Sequence, residues 1–196
     1  MDERAFFDNL APVWDENETE STPQRVEYVM SFFGLKPGDK VLDLGTGTGV
    51  LLPFIAQRIG REGEITAVDF SDGMLQRAVA KFGALSPKPM FLNIDFENDT
   101  IPGSYDKIIL YCVFPHLHTP IETLKWLRAV NLNPGGSIII AFPTGPEFIN
   151  NIHRERHSDS DILPTAHQLA GRLVAHGLEA TVANADDHSY VVIINK

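Results

Sequence analysis

The chain has 196 residues, of which 43% are hydrophobic, and its formal net charge is −10 because 26 acidic residues outnumber 16 lysines and arginines. This length and hydrophobic content suit a globular domain with a substantial core, which excludes an intrinsically disordered chain. The acidic total argues against a nucleic-acid-binding protein, because such proteins usually present a basic face. The single cysteine, Cys112, permits neither an internal disulfide nor a cysteine-based zinc site.

The sequence shows no targeting or membrane-spanning segment. Its first residues are too acidic and too poor in apolar side chains for a signal peptide, and no apolar run reaches transmembrane length. We therefore expect a cytoplasmic protein. Because no repeat, low-complexity tract or linker interrupts the sequence, residues 1–196 are expected to form one domain.

The first predicted elements are a short amphipathic helix and a loop within residues 3–20, where Phe6, Phe7 and Trp14 stand among acidic residues. The simplest interpretation of these aromatic side chains is that they cover the core. A second helix begins at Thr22, because threonine is a good N-cap residue and is followed by a proline that suits the first helical position.

Residues 41–49, VLDLGTGTG, predict a buried strand followed by a tight glycine turn, and the apolar run at 50–56 predicts a helix behind it. Glycine lacks a Cβ atom, so the turn allows a ligand to approach bare backbone beside the free N–H groups of the helix N-terminus. The spacing differs from the dinucleotide fingerprint GxGxxG, and the lysine of a Walker loop is absent. Asp43 ends the strand, where it would repel a pyrophosphate and attract a ligand with a cationic end.

A second strand at 64–69 ends in Asp69, twenty residues beyond the last glycine of the turn. Nucleoside-binding α/β folds place a carboxylate there, and its two oxygens can accept hydrogen bonds from both ribose hydroxyls. Phe70 is then placed to lie against an adenine ring. Ser71 is predicted to cap the next helix, in which the early Met74 could contact the nucleoside. The buried stripe of that helix should consist of Leu75, Ala78, Val79 and Phe82.

Two further strands are predicted at 90–93 and 106–111. Asp95 and Phe96 follow the first of them, where an aspartate can also serve ordinary turn chemistry. The second is a continuous apolar run that ends in Tyr111, as expected for a strand in the middle of a parallel sheet.

The C-terminal third is predicted to contain a helix with a capping box at Thr119, a strand at 137–142 and a closing hairpin of strands at 178–185 and 189–194. Residues 143–162 are the least regular part and are interpreted as a lid or an acceptor-binding insertion. A helix before the hairpin should bury Ala166, Leu169, Ala170, Leu173 and Val174.

Strands alternate with helices through most of the chain, which predicts a doubly wound parallel sheet. Asp43, Asp69 and Asp95 each end or follow a strand, so they should converge at the carboxyl edge of that sheet. A ligand with a cationic amino-acid end, a ribose diol and an adenine fits this order of acidic residues.

Residues 41–49 closely resemble motif I of the class I S-adenosylmethionine (SAM)-dependent methyltransferases, a strand acid followed by GxGxG. Residues 5–15 resemble the segment that caps the cofactor cleft in the small-molecule enzymes, and residues 112–118 resemble motif IV, which lies between methyl donor and acceptor. The resemblance implies a Rossmann-like, doubly wound, mostly parallel seven-stranded sheet with an antiparallel C-terminal hairpin and helices on both faces. It also implies SAM as cofactor and S-adenosylhomocysteine (SAH) as product, with residues 1–21 as a cap and 143–162 as a candidate acceptor loop.

In that family an acid after the third strand accepts from the adenine amino group and an apolar neighbour lies against the ring, which assigns these roles to Asp95 and Phe96. No metal ligand is assigned. The predicted cofactor-binding residues are Asp43, Gly45, Thr46, Gly47, Gly49, Asp69, Phe70, Met74, Asp95, Phe96 and Tyr111.

The implied reaction is in-line displacement of the sulfonium methyl group, which mainly requires that both reactants be held in line and dry. A base would help if the acceptor is a hydroxyl or a protonated amine, and His116 is the candidate by its location. The weaker candidates are His118, His153 and His157. An ordinary surface or structural role is the alternative for each. His153 and His157 could also share a helix face and hold a metal, or meet an acidic acceptor together with neighbouring arginines.

The favoured function is methyl transfer to a small-molecule acceptor. A protein or RNA acceptor, or a non-catalytic SAM- or SAH-binding role, are the alternatives. An NAD-dependent oxidoreductase is disfavoured by Asp43 and by the glycine spacing.

Overall fold

The computed structural model describes residues 3–17, 20–155 and 162–196. Within these residues, seven strands form one sheet in the order β3-β2-β1-β4-β5-β7-β6. The first five strands of that order are parallel, and β7 is antiparallel to both β5 and β6. The strands are β1 Lys40–Leu44, β2 Glu64–Asp69, β3 Met90–Asn93, β4 Tyr105–Tyr111, β5 Leu132–Phe142, β6 Glu179–Asp186 and β7 Ser189–Asn195. This arrangement confirms the predicted mostly parallel sheet with an antiparallel C-terminal hairpin.

Helices cover both faces of the sheet. One hydrophobic cluster joins the sheet to α3 and α4, and a second joins the opposite face to α6 and α8. Short 3₁₀ turns at Ala11–Val13 and Phe114–His116 and a π-helical turn at Leu127–Asn131 complete the described helical structure. The helices are α1 Glu3–Leu10, α2 Trp14–Asn17, α3 Pro23–Met30, α4 Leu52–Ile59, α5 Asp72–Phe82, α6 Pro120–Trp126, α7 Pro146–Glu155 and α8 Ala166–Ala175. None of them is both long enough and apolar enough to cross a membrane, a finding that covers the described part of the chain.

The central strand β4 is continuously apolar and buried from Ile108 to Tyr111. Ile108 and Leu110 belong to one hydrophobic cluster, whereas Ile109 and Tyr111 belong to the cluster on the other face. Because successive side chains of a strand point to opposite faces, a stretch covered on both faces is apolar at successive positions. The outermost strand β6 instead alternates between exposed and half-buried residues.

Two predicted helix starts are confirmed in detail. The Thr22 side chain accepts a hydrogen bond from the Arg25 N–H at 3.4 Å, and Ser71 Oγ accepts one from the Met74 N–H at 3.1 Å. The capping box predicted at Thr119 is wrong, because its hydroxyl accepts no N–H of α6. That hydroxyl donates instead to Glu97, which reaches the helix from a distant loop.

Other local predictions were wrong where the apolar stripe is narrower than the sequence suggested. Val79 of α5 and Val174 of α8 are 47% and 56% exposed, whereas their neighbours Ala78 and Leu173 are fully buried. The predicted irregular segment 143–162 is not irregular throughout, since α7 occupies half of it. Ile149 of that helix is buried in the core.

The side chain of Asn150 fixes α7 to the segment before α8. Its Nδ2 donates to the Leu163 carbonyl at 2.9 Å, and its Oδ1 accepts the Leu163 N–H at 2.7 Å. The remainder of the predicted acceptor loop, residues 156–161, lies outside the described residues. The same holds for the side chain of His153 and for the whole of His157, so the structure says nothing on their predicted roles.

Candidate functional site

A cavity of about 970 Å³ lies at the carboxyl edge of the sheet, beside the ends of β1, β2 and β4. Its volume falls within the range of known ligand sites. Ten of the eleven predicted cofactor-binding residues line it, as does the candidate base His116. The lining members of that set are Asp43, Gly45, Thr46, Gly47, Asp69, Phe70, Met74, Asp95, Phe96 and Tyr111. The convergence expected from the strand ends is therefore present.

Two glycines of the glycine turn, Gly47 and Gly49, have different surroundings. Gly47 has φ +55, and nothing lies within 4 Å of the position that a Cβ atom would take, so its bare backbone opens onto the cavity. Gly49 has φ +89 and does not line the cavity, and an added Cβ atom would stand 2.8 Å from Phe82 and 2.9 Å from Leu52. Gly49 therefore permits close packing between α4 and α5 and lies behind the ligand-facing surface.

Asp43 is only 2% exposed and lies in the cavity wall at the end of β1. Its Oδ2 accepts a hydrogen bond from Thr46 Oγ1 at 2.7 Å. Burial raises the pKa of this carboxyl from 3.8 to about 7, and the nearby Asp69 adds to that rise. A cation placed against Asp43 would favour its ionised form, so the site is suited to a positively charged group.

Asp69 links the end of β2 to the glycine turn. Its Oδ2 accepts the Gly47 N–H at 2.8 Å and its Oδ1 accepts the Ser71 N–H at 2.9 Å. Burial raises the pKa of this carboxyl to about 6, against the opposing effect of backbone N–H groups of Ser71, Gly47 and Phe70. A carboxylate has about four acceptor sites, so Asp69 can still accept from a ligand beside these backbone donors. This arrangement suits two neighbouring hydroxyl groups.

Asp95 lies in the cavity wall and also takes part in a turn. It organises this turn through hydrogen bonds from the Glu97 N–H at 3.2 Å and from Asn98 Nδ2 at 2.8 Å. Phe96 lines the cavity beside it and packs against the core. The turn therefore fixes a carboxylate and an aromatic ring next to each other at the edge beyond β2.

The N-terminal helices α1 and α2 cover the cavity. Phe7 lies in its wall, with its ring centroid 5.8 Å from that of Phe70 and 5.6 Å from that of His116. Trp14 also lines the cavity and contacts Phe7. No residue of α1 is fully buried, whereas Ala11, directly after it, is part of the core.

Two acidic residues that the sequence analysis missed attach this covering segment. Asp8 accepts from Ser71 Oγ at 2.6 Å and from the Gly73 N–H at 3.0 Å, and these bonds lower the pKa of its carboxyl. Asp15 accepts from Thr48 Oγ1 at 2.6 Å and from Lys81 Nζ at 2.9 Å. The only signal in the sequence was their position among aromatic residues.

Glu97 is a third residue that the sequence analysis missed. It accepts hydrogen bonds from the backbone N–H groups of His118 and Thr119, both at 3.0 Å, and from Thr123 Oγ1 at 3.2 Å. Burial opposes its ionisation, but these donors outweigh burial and lower the pKa of the carboxyl. Glu97 thus joins the loop that carries Asp95 to the start of α6.

The histidines after β4 occupy different surroundings. His118 is exposed, and its Nδ1 lies 3.0 Å from Glu97 Oε2, a hydrogen bond that raises the pKa of the imidazole. His116 lines the cavity, and its Nδ1 lies 3.6 Å from Oε1 of Glu3 in α1. Cys112 also lines the cavity in a backbone conformation with φ +58.

Comparison with known proteins agrees with this geometry. A family model described as a methyltransferase domain matches residues 41–136. The 2-phytyl-1,4-naphtoquinone methyltransferase of Trichormus variabilis is 40% identical over 179 residues, which cover 85% of this chain and 76% of the relative. A protein-L-isoaspartate O-methyltransferase of Methanothermobacter thermautotrophicus is 37% identical over 145 residues, covering 68% and 62%.

Among solved structures, a SAM-dependent methyltransferase from Aquifex aeolicus superposes with a TM-score of 0.70 at 24% identity, over 89% of this chain and 94% of that one. This likeness supports the fold, and the relative from Trichormus variabilis supports the family. The predicted fold class, enzyme class and cofactor are thereby confirmed. The chain belongs to the SAM-dependent methyltransferases.

Proposed function

We propose that the chain transfers the methyl group of SAM to a small-molecule acceptor, and that cofactor and acceptor both bind in the cavity at the carboxyl edge of the sheet. The observation that carries this proposal is the position of Asp43 and Asp69. Both carboxyls are buried in the cavity wall, and burial raises the pKa of each. Such groups gain most from a ligand that brings a positive charge and hydroxyl donors.

The order of the lining residues across the sheet matches the order of the chemical groups in SAM. Asp43 and the bare backbone at Gly47 would face the amino-acid end and the sulfonium. Asp69 would accept from the ribose hydroxyls through its remaining acceptor capacity. Phe70, Asp95 and Phe96 would hold the adenine. This order follows the strand order β1, β2, β3.

The reaction would be a direct displacement at the methyl carbon. The sulfonium activates the methyl group when SAM is bound, so the protein mainly needs to align the reactants and exclude water. Positioning of this kind can contribute roughly 7–11 kcal/mol to catalysis. Residues 1–21 would serve as the cap that excludes water, which the hydrogen bonds of Asp8 and Asp15 support.

A small acceptor is supported by this cover and by the part of the cavity beside α7. Pro143, Phe148 and Ile149 line that part, so the first half of the 143–162 segment would contact the acceptor as expected. The relative from Trichormus variabilis is named for 2-phytyl-1,4-naphtoquinone, an acceptor that is not a macromolecule, which agrees with this assignment. A protein or RNA acceptor would instead need a surface open to a macromolecule.

The test is SAH binding by isothermal titration calorimetry to the wild type, Asp69→Ala and Asp72→Ala. Asp72 is an exposed neighbour in α5 that does not line the cavity, so its variant is the matched control. We expect Asp69→Ala to lose at least tenfold in affinity, the effect of removing a charged hydrogen-bond acceptor worth roughly 1.5–3 kcal/mol. Equal affinity in all three proteins would refute the site assignment.

A further inference from the structure

The two threonines of the glycine turn donate hydrogen bonds to different carboxyls. Thr46 Oγ1 donates to Asp43 Oδ2 of β1 at 2.7 Å, and Thr48 Oγ1 donates to Asp15 Oδ1 of α2 at 2.6 Å. Both threonines are buried. Asp43 belongs to the proposed cofactor site, whereas Asp15 attaches the covering segment. The Thr46 hydroxyl is therefore the one that acts on a carboxyl expected to meet the cofactor.

The backbone of the turn holds Thr46 in place. Its N–H donates to the Val68 carbonyl of β2 at 2.9 Å, and its own carbonyl accepts the Gly49 N–H at 2.9 Å. Because both backbone groups are bonded and the side chain is buried, the hydroxyl has a fixed position at the end of β1. A hydroxyl carries a single hydrogen, so while Thr46 donates to Asp43 it cannot also donate to a ligand.

Thr46 is the one donor to the Asp43 carboxyl among the described residues. Oδ2 accepts from Thr46, whereas Oδ1 accepts from no residue in the described part of the chain, although Asp43 lines the cavity. Asp69, at the end of the neighbouring β2, is the charged group that acts on this carboxyl. Tyr111, at the end of β4 on the other side, shares a hydrogen bond with Ser21 at 3.0 Å.

The Thr46 hydroxyl is also the contact that favours ionisation of Asp43. Burial and the charge of Asp69 both raise the pKa of the Asp43 carboxyl, and the hydrogen bond from Thr46 lowers it. Lys81 also lines the cavity, but its Nζ is bound to Asp15 at 2.9 Å. Without a ligand, the ionised form of Asp43 therefore depends on a single side-chain hydroxyl.

We propose that Thr46 is a positioning residue for Asp43: its hydroxyl holds Oδ2 of the ionised carboxylate, so that Oδ1 faces the cationic group of the cofactor. This inference rests on the proposed function, which places that cation against Asp43. It gives Thr46 a role that acts through Asp43 in place of a direct contact with the cofactor. Asp69 receives the corresponding support from the backbone N–H groups of Gly47 and Ser71, which no side-chain substitution removes.

The test is SAH affinity, measured by calorimetry between pH 6 and pH 8.5, in the wild type, Thr46→Val, Thr46→Ala and Thr46→Ser. Valine and alanine lack the hydroxyl, whereas serine keeps it. A hydrogen bond to a charged group is stronger than one to a neutral group, so its loss should raise the pKa of Asp43. We expect both variants without a hydroxyl to bind SAH about tenfold more weakly than the wild type at pH 6 and within about twofold of it at pH 8.5. Thr46→Ser should bind like the wild type.

Thr48→Val is the matched control, because it removes the same hydroxyl from the same turn. Its partner Asp15 has a pKa below the usual value of 3.8, so this carboxyl is ionised throughout the measured range. Any loss of SAH affinity in Thr48→Val should therefore be the same at pH 6 and at pH 8.5. A loss of equal size at every pH in the Thr46 variants would show a merely structural role and would overturn the proposal.

A double variant tests whether Thr46 acts through Asp43. Thr46→Val combined with Asp43→Asn should bind SAH as Asp43→Asn alone does, because the carboxyl that the hydroxyl supports is already gone. A further loss of affinity in the double variant would overturn the role through Asp43.

A measurement without cofactor separates this inference from the proposed function. The carboxyl carbon of Asp43 is titrated by NMR and identified by its absence from the spectrum of Asp43→Asn. Its titration should move to higher pH in Thr46→Val than in the wild type, and an unchanged titration would overturn the role of Thr46. If the titration moves as expected but the wild type binds no SAH, the proposed function is refuted and the contact between Thr46 and Asp43 is not.

Discussion

Replacing Asp43 by asparagine should stabilise the cofactor-free protein at neutral and alkaline pH while weakening cofactor binding. Asparagine keeps the shape of the side chain and an oxygen that can accept from Thr46 Oγ1. It removes the carboxyl that is 2% exposed and must ionise in a buried site. Buried charges without a partner are costly, so the substitution should relieve that cost.

The size of the expected stabilisation follows from the pKa of Asp43, which burial raises from 3.8 to about 7. The folded state therefore binds the proton more tightly than the unfolded state, and stability is lost as the pH rises from about 4 to 7. At about 1.4 kcal/mol per pKa unit, the loss reaches at most about 4 kcal/mol above pH 7. Asp43→Asn does not titrate, so its advantage over the wild type should grow across this range and then remain constant.

The assay is urea unfolding of both proteins without cofactor at several values between pH 5 and 8. Asp187→Asn, which alters an exposed acid in the β6–β7 turn, is the control and should leave the pH dependence unchanged. A uniform destabilisation of Asp43→Asn at every pH would refute the reasoning, because it would show that the ionised carboxyl is well compensated in the folded protein.

Three further predictions concern the turn and its surroundings. Gly47→Ala should cost only about 1–2 kcal/mol of folding stability and should sharply reduce SAH affinity. Gly49→Ala should cost more folding stability, because its Cβ atom would overlap packed side chains. Chemical denaturation would show this difference. Asp15→Ala should speed SAH dissociation in stopped-flow measurements by releasing the covering segment from Thr48; an unchanged rate would argue that this contact does not hold the cover closed. Glu97→Gln should lower stability by roughly 1–2 kcal/mol, because α6 loses its charged cap, and an unchanged urea midpoint would contradict that role.

The predicted site residues came from signals that are local in the chain. A strand that ends in an acid and is followed by glycines predicts a tight turn and places the acid at the end of the strand that faces a ligand. A parallel sheet brings such strand ends together at one edge. Asp43 and Asp69 were found in this way. The structure places both in one cavity wall.

The residues that the sequence did not reveal act over long separations. Asp8 and Asp15 bond to residues 63 and 33 positions away, and Glu97 caps a helix 22 positions later. No local pattern identifies such partners, because each depends on the packing of a loop or helix against the finished sheet. The capping box at Thr119 was wrongly predicted for the same reason. The local sequence pattern suggested that Thr119 caps α6, whereas the cap comes from the distant Glu97.

The most direct test of the central claim, that ionised Asp43 and Asp69 hold the cofactor, is SAH affinity measured by calorimetry at pH 6 and pH 8. With pKa values of about 7 and about 6 in the cofactor-free protein, both carboxylates are ionised far more often at the higher pH. The account predicts that SAH binds about twentyfold more tightly at pH 8 than at pH 6, and only about twofold more tightly in Asp43→Asn. An affinity that is independent of pH, or that falls as the pH rises, would contradict the account.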